Sequence, residues 1–204
     1  MAEKTIKQFM GFNMIKSLLR FRYTVALVAL FFTTLSVHSQ EIAIKNNILY
    51  DVTGSLNLAG ELRCGDKSTL QLGVSYNPWT FSENKKIKHI YVQPEYRYWL
   101  DEAFIGHFVG VTGHYAQYNF CGTTPLTTIK DHRYQGNLMG LGVTYGYQWM
   151  LSAFWNIEAN ITLGYAHLDY DKYGPEKGAQ KIKESNKNYF GPMQAGISII
   201  YFIK

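Results

Sequence analysis

The sequence predicts an all-β fold, an eight-stranded antiparallel up-and-down transmembrane β-barrel preceded by a cleaved signal peptide. Three observations lead to this prediction. Eight segments alternate apolar and polar residues with the period of two that a β-strand requires. The connections between these segments are mostly short and long in turn, and their polar faces consist largely of small uncharged residues. These features together are typical of barrels in the Gram-negative outer membrane.

The N-terminal residues 1–39 are expected to be an extension and a secretory signal peptide. Basic residues precede an apolar stretch from Thr24 to Leu35, and small residues favour cleavage after Ser39. The alternative is a transmembrane anchor, but this apolar stretch of about 12 residues is shorter than the roughly 20 that a spanning helix needs. Met14 is an alternative start, because it directly precedes the basic region. Residues 40–204 are then the barrel domain.

Removal of this segment changes the charge of the protein. The whole chain has a formal net charge of +5, but residues 1–39 contain five basic residues and one acidic residue. Residues 40–204 therefore carry almost balanced charge, which gives no support to nucleic-acid binding.

The first half of the barrel domain contains four alternating segments. In each, the apolar residues lie on one face of the predicted strand and the residues between them lie on the other. Glycine and charged residues separate the segments. The four strands, with their apolar faces, are Ala43–Thr53 (Ile48, Tyr50, Val52), Leu56–Cys64 (Leu56, Leu58, Leu62), Ser68–Trp79 (Leu70, Leu72, Val74, Tyr76) and Lys88–Leu100 (Ile90, Val92, Pro94, Tyr96, Tyr98).

The second half repeats the pattern in four longer segments. The last of them carries aromatic residues near the end of the sequence, which suits recognition by the outer-membrane assembly machinery. The strands are Phe104–Asn119 (Ile105, Val109, Val111, Tyr115), Tyr134–Trp149 (Met139, Leu141, Val143, Tyr145, Tyr147, Trp149), Trp155–Tyr170 (Ile157, Ala159, Ile161, Leu163, Tyr165) and Asn188–Ile203 (Ala195, Ile197, Ile199, Tyr201).

The predicted connections support an up-and-down barrel with short turns on one rim and long loops on the other. Only the first connection, near residues 53–55, departs from this rule. The short connections are 65–67, 101–103 and 150–154, and the long ones are 80–87, 120–133 and 171–187.

The polar faces decide whether lipid or water lies outside the barrel. A soluble exported β-domain, which is the alternative, would carry charges on its outer face. The sixth segment instead alternates its apolar residues with glycine, threonine and glutamine, which suit the narrow interior of an eight-stranded barrel. Aromatic residues also cluster at segment ends, as in the interfacial girdles of membrane barrels.

Five charged residues fall on the inward face of this arrangement. Since isolated buried charges are costly, we expect Arg63 and Arg97 to bridge Glu61, Glu95 and Glu158 in a polar network. One interpretation is a plug that orders the barrel, and the alternative is a narrow pore or channel.

The sequence contains no convincing catalytic, metal or cofactor site. His167 with Asp169 could belong to a lipid-modifying enzyme, but no serine has a defined relation to them and no nucleophile-elbow pattern occurs. The histidines and cysteines lack the spacing of metal ligands. Cys64 and Cys121 should lie at opposite rims, too far apart for an intramolecular disulfide.

The last predicted loop is rich in lysine and should lie at the level of lipopolysaccharide phosphates. Outer-membrane lipid and lipopolysaccharide are therefore the expected partners. The lysines are Lys172, Lys177, Lys181, Lys183 and Lys187.

Several segments occur in an order that resembles a known family. They are "NNILYDVTGSLNLAGE", "YNPWTF", "VQPEYRYW", "GHFVGV", "RYQG", "YGYQW" and "NKNYFGP". From about Lys45 to Lys204 the chain is similar to the uncharacterised family called domain of unknown function 3575. The resemblance implies an outer-membrane barrel similar in build to small porin-like membrane anchors. It implies no activity, so we expect a non-enzymatic protein with a structural or surface-interaction role.

Overall fold

A computed structural model describes residues 41–80, 86–122, 132–174 and 178–203. Within these ranges the chain is almost entirely β-structure, as the sequence predicts. The predicted signal peptide, residues 1–39, lies outside the described residues. In the part of the chain that is described, no helix has the length and apolar character needed to cross a membrane.

Eight antiparallel strands within the described ranges hydrogen-bond in sequence order, and the first also pairs with the last, so that the sheet closes into a barrel. Ile42 on the first strand, for example, lies opposite both Leu62 and Ile203. Closure leaves no strand edge with unpaired backbone groups. The strands are β1 (Ile42–Asn47), β2 (Leu56–Gly65), β3 (Ser68–Asn77), β4 (Lys86–Trp99), β5 (Gly106–Cys121), β6 (Arg133–Met150), β7 (Trp155–Tyr173) and β8 (Lys181–Ile203).

The first connection contains a short helix, α1 (Ile48–Val52), which corrects the prediction that the first strand continues through these residues. Asn47 caps the helix, because its side-chain oxygen accepts a hydrogen bond from the backbone N–H of Leu49 at 3.0 Å. Gly54 follows in a left-handed conformation, with φ of 73°, that glycine adopts without steric cost. The connection therefore spans residues 48–55, and the first connection belongs with the other long ones.

β7 and β8 extend into the segment that the sequence analysis assigned to a loop, residues 171–187. Most residues there are charged or polar and form no apolar face. The alternation of apolar and polar residues therefore did not predict that the strands continue. The pairing nevertheless continues, with Asp171 opposite Glu184. Of the five predicted loop lysines, Lys177 lies outside the described residues, Lys172 lies on β7, and Lys181, Lys183 and Lys187 lie on β8.

Side chains alternate between the barrel interior and its outer surface, and the polar face lies inside, as the sequence predicts. On β7, Glu158 and Thr162 are fully buried, whereas Ile161 and Leu163 are about half exposed. The interior is narrow enough for hydroxyl groups on neighbouring strands to meet, since Thr144 and Thr162 Oγ1 lie 2.8 Å apart.

The two cysteines are free thiols at opposite ends of the barrel. Cys64 is exposed beside the short β2–β3 turn, and Cys121 is buried at the end of β5 next to a long connection. This placement is the one that the sequence analysis predicts.

Candidate functional site

An ion-pair network occupies the middle of the barrel. Arg97 on β4 binds three carboxylates, because its Nη1 lies 2.8 Å from Glu158 and 3.3 Å from Glu61, and its Nε lies 2.9 Å from Glu95. Lys45 on β1 lies 2.6 Å from Glu158 and also contacts Glu61. All five side chains are buried. Strands β1, β2, β4 and β7 are thereby joined through the barrel interior.

Each carboxylate oxygen of this network has a partner. Such completeness is important because a buried ion pair offsets its desolvation only when the remaining lone pairs are also hydrogen-bonded. Three carboxylates and two cations leave one negative charge when all five groups are ionised. The oxygens that do not contact a cation accept hydrogen bonds from Thr69 (to Glu61), Gln93 (to Glu95, 3.3 Å) and Asn160 (to Glu158, 2.8 Å).

Lys45 is the network residue that the sequence analysis missed. It lies on β1 between Ala43 and Asn47, which are also buried. Strict alternation from Ala43 would have placed Lys45 inside. The apolar face assigned to this segment, Ile48, Tyr50 and Val52, also leaves Lys45 on the opposite, inward face, but Lys45 was not counted among the inward charges.

Arg63 does not belong to the network, which corrects the prediction that it bridges the three glutamates. It lies at the short-turn rim, with Nη1 3.0 Å from Glu41 and Nη2 3.3 Å from Glu102. Alternation assigned Arg63 to the same face as Glu61. Two residues of strand displace it by about 7 Å toward the rim, however, and β2 is bulged directly after it.

An apolar cluster fills the barrel interior at the short-turn end. The rings of Trp99 and Phe108 lie 4.8 Å apart between centroids, and Phe104 packs 5.1 Å from Phe202. Phe104 was predicted to begin the fifth strand, but it precedes β5 with φ of 70° and turns its ring inward. A positive φ costs a non-glycine residue on the order of 1 kcal/mol, which burial of the ring offsets.

Two contacts connect this apolar cluster to the ion-pair network. The Arg97 guanidinium lies 4.3 Å from the centroid of the Phe108 ring, a cation–π arrangement. Trp99 Nε1 donates a hydrogen bond to Thr69 Oγ1 at 3.0 Å, and the Thr69 hydroxyl donates to Glu61. Charged and apolar layers of the interior are therefore packed as one unit.

A small polar cavity of about 40 Å³ adjoins the network on its other side. Side-chain oxygens of Gln71, Asn160 and Gln194 line it, are buried, and have no hydrogen-bond partner within the described residues. The cavity has room for two or so water molecules, which we expect to complete these hydrogen bonds.

The outer surface carries a broad uncharged apolar band. Every outward side chain on β7 from Trp155 to Tyr165 is apolar or aromatic, and the same holds on β6 from Met139 to Trp149. Exposed aromatic residues border this band at both ends. Near the short turns these are Tyr98, Trp149, Trp155 and Tyr201, and near the long connections they are Tyr76, Trp79, Tyr115 and Tyr165.

Comparison with family models matches residues 25–203 to the family described as "Protein of unknown function (DUF3575)". The chain belongs to this family. The match covers nearly the whole chain and begins before Lys45, where the resemblance of sequence segments begins. No curated protein and no solved structure matches the chain. Since the DUF3575 family has no known function, the roles of its residues in this chain rest on geometry and chemistry.

The lysines predicted to face lipopolysaccharide have different surroundings in this DUF3575 chain. Lys181 lies 2.6 Å from Asp171 and 2.8 Å from Glu184, and these hydrogen bonds raise the pKa of Lys181. Lys172 lies opposite Lys183 in the β7–β8 pair. Lys187 instead lines a cavity inside the barrel.

His167 and Asp169 are in contact on the exposed part of β7. His167 Nε2 lies 3.2 Å from Asp169 Oδ1, and His167 Nδ1 lies 2.6 Å from Asn188 Oδ1. Within the described residues no hydrogen bond joins His167 to a serine, so these contacts supply no nucleophile. The same ranges contain no group of three His, Cys, Asp or Glu residues that could hold a metal ion.

Proposed function

We propose that this protein is a closed, non-enzymatic β-barrel of the Gram-negative outer membrane, with a structural or surface-interaction role. The observation that carries the proposal is an inverted distribution of polarity. Charged groups such as Arg97 and Glu158 are buried, whereas residues such as Leu141 and Leu163 are exposed, at 69 % and 52 %. Soluble monomers rarely expose apolar patches larger than a few hundred Å². Hydrocarbon, in contrast, is a suitable environment for such a surface, because the closed sheet pairs its backbone groups.

The height of the apolar band supports this proposal. Trp155 and Tyr165 border the band on β7 and are ten residues apart. Ten residues of strand extend about 33 Å, and a tilt of about 40° reduces the height along the barrel axis to roughly 25 Å. Outer-membrane barrels carry an apolar band of about this height between their aromatic girdles.

The interior favours a closed barrel over the alternative of a narrow pore. The apolar cluster around Trp99 and Phe108 lies at one end, and the network around Arg97, whose carboxylate oxygens all have partners, lies next to it. An ion that crossed the barrel would have to displace both layers. We therefore assign the network a structural role, as a plug that fixes strands on different sides of the barrel.

Delivery and partners follow from the proposed location. The signal peptide would export the chain, the assembly machinery would insert it, and membrane lipid would surround it.

We further propose that Lys172, Lys181 and Lys183 contact lipopolysaccharide phosphates. Replacing all three by glutamine should then lower the midpoint of thermal unfolding in lipopolysaccharide but not in phospholipid. An equal midpoint in lipopolysaccharide would reject this contact.

Cell fractionation tests the proposal. The full chain, expressed in a Gram-negative host, should sediment with the outer membrane and resist extraction by alkaline carbonate. Unboiled protein should also migrate differently from boiled protein on a gel. As a matched control, a chain without residues 1–39 should remain in the cytoplasm. Recovery of folded full-length chain from the soluble periplasmic fraction would support the soluble β-domain instead.

A further inference from the structure

A second and much larger cavity lies inside the barrel at the end of the long connections. Its volume is about 670 Å³, within the range of 300–1,000 Å³ that is usual for small-molecule sites. Aromatic rings form most of its wall, and we call it the aromatic cavity. The rings are those of Tyr50, Tyr91, Tyr118, Phe120, Tyr134 and Tyr170.

These rings form three pairs on different sides of the cavity. Tyr50 of α1 meets Tyr91 of β4 edge to face at 6.4 Å, and Tyr118 and Phe120 of β5 stack at 5.3 Å. The third pair joins β6 and β7 at 5.6 Å. Each pair holds its two rings in a fixed orientation. A planar ring of a ligand can therefore stack on their faces or pack against their edges.

The floor of the aromatic cavity separates it from the ion-pair network. Tyr50 and Tyr91 line both the aromatic cavity and the small polar cavity next to the network. The Tyr91 hydroxyl is held by contact with His114 Nδ1. The acidic side chains of the network therefore lie beyond the tyrosine floor, and none of them lines the aromatic cavity.

A lysine lines the aromatic cavity. Lys187 of β8 contributes to the wall, and within the described residues its ammonium makes no ion pair or hydrogen bond. Among the described residues, no aspartate or glutamate lines the cavity, and His89 is the other nitrogen-bearing side chain in the wall. The described wall thus combines aromatic rings with the ammonium group of Lys187.

We propose that the aromatic cavity binds a small aromatic acid. The planar apolar body of the ligand packs among the tyrosine rings, and its carboxylate meets the Lys187 ammonium. This inference goes beyond the proposed function and is independent of it, because the cavity lies inside the barrel whatever surrounds the outer surface.

Calorimetric titration of the purified, folded full-length protein with 2-naphthoate tests the proposal. We expect saturable binding with a stoichiometry of one. Lys187→Gln should weaken binding about fivefold, the effect of one solvent-accessible ion pair. Lys67→Gln, which changes an exposed lysine in the short β2–β3 turn at the other end of the barrel, should bind as wild type does. The neutral analogue 2-naphthylmethanol should bind the wild-type protein more weakly than 2-naphthoate does. Its affinity for wild type and for Lys187→Gln should be the same.

A second pair of variants tests the site by volume and controls for partitioning into detergent. Ala116→Trp fills the cavity from β5 and should weaken 2-naphthoate binding by more than tenfold, whereas Ala195→Trp on the outer face should leave it unchanged. Each variant is first checked for folding by its heat-dependent gel migration. If 2-naphthoate does not bind wild type, or binds Ala116→Trp equally well, the proposal is wrong. Tighter binding of decanoate than of 2-naphthoate would also reject an aromatic ligand.

Discussion

At the scale of single residues, Arg97 is the group on which the interior depends most. It contacts three carboxylates and the face of Phe108, and its side chain is almost completely buried. Loss of one partner from a buried network leaves the remaining charges uncompensated in a low dielectric, which is far more costly than loss of a solvated pair. Arg63, at the rim, forms solvated pairs of the same chemical type.

These two arginines give a matched prediction. We expect Arg97→Ala to lower the free energy of unfolding by about 3–5 kcal/mol, and Arg63→Ala to lower it by less than about 1 kcal/mol. Unfolding in urea, followed by the gel mobility of unboiled samples, measures both. Equal effects of the two substitutions would show that the interior network does not stabilise the barrel.

Arg63 and Lys45 show which properties of a residue the alternation of a strand predicts and which it does not. Alternation gives the face of a residue but not its height in the barrel, so Arg63 was assigned to the network together with Glu61. Height depends on strand register, which is a relation between distant segments. Lys45 was recoverable from alternation alone, because the assigned apolar face of Ile48, Tyr50 and Val52 leaves it on the inward face. The aromatic cavity could not be predicted, because its rings come from α1 and four different strands.

At the scale of elements, the strands whose outer faces form the apolar band were the most predictable parts of the chain. On β6 and β7 the alternation of large apolar and small polar residues is long and unbroken, and two physical requirements, an apolar exterior and a narrow interior, produce it. α1 was missed because Ile48, Tyr50 and Val52 also alternate. Asn47 before it and Gly54 after it are helix-boundary signals that could have identified it.

β6 gives a prediction that depends on depth along one strand. Val143 lies near the middle of the apolar band on β6, whereas Asn137 points outward on the same strand near the long connections. In a bilayer, Val143→Arg should destabilise the barrel by about 2–4 kcal/mol and Asn137→Arg by about 1 kcal/mol or less. Equilibrium folding into phospholipid vesicles measures the difference. If both substitutions have equally small effects, the outer face of β6 does not contact lipid.

At the scale of the whole molecule, the interior has three layers between the short turns and the long connections. The apolar cluster comes first, the ion-pair network follows, and the aromatic cavity lies beyond it. The first two layers are packed, whereas the third contains a cavity of about 670 Å³. This order of layers favours the proposed structural role, or a binding role, over transport.

Conductance in planar bilayers tests whether the interior of the barrel blocks the passage of ions. We expect no channel activity from wild type, since an ion would have to break the Arg97 network and pass the Phe108 layer. Arg97→Ala should also be silent, because the apolar cluster remains. Reproducible single-channel steps in wild type that change with Arg97→Ala would instead support the narrow pore.

The most direct test of the central claim, that lipid surrounds the apolar band, is a spin-label measurement of depth. Single labels are placed at Leu141→Cys, Leu163→Cys and Asn137→Cys in a background carrying Cys64→Ser and Cys121→Ser, and the protein is reconstituted in bilayers. Labels at positions 141 and 163 should be accessible to oxygen and protected from a water-soluble nickel chelate, with the reverse at position 137. Strong relaxation of the label at position 141 by the nickel chelate would place that surface in water and contradict the account.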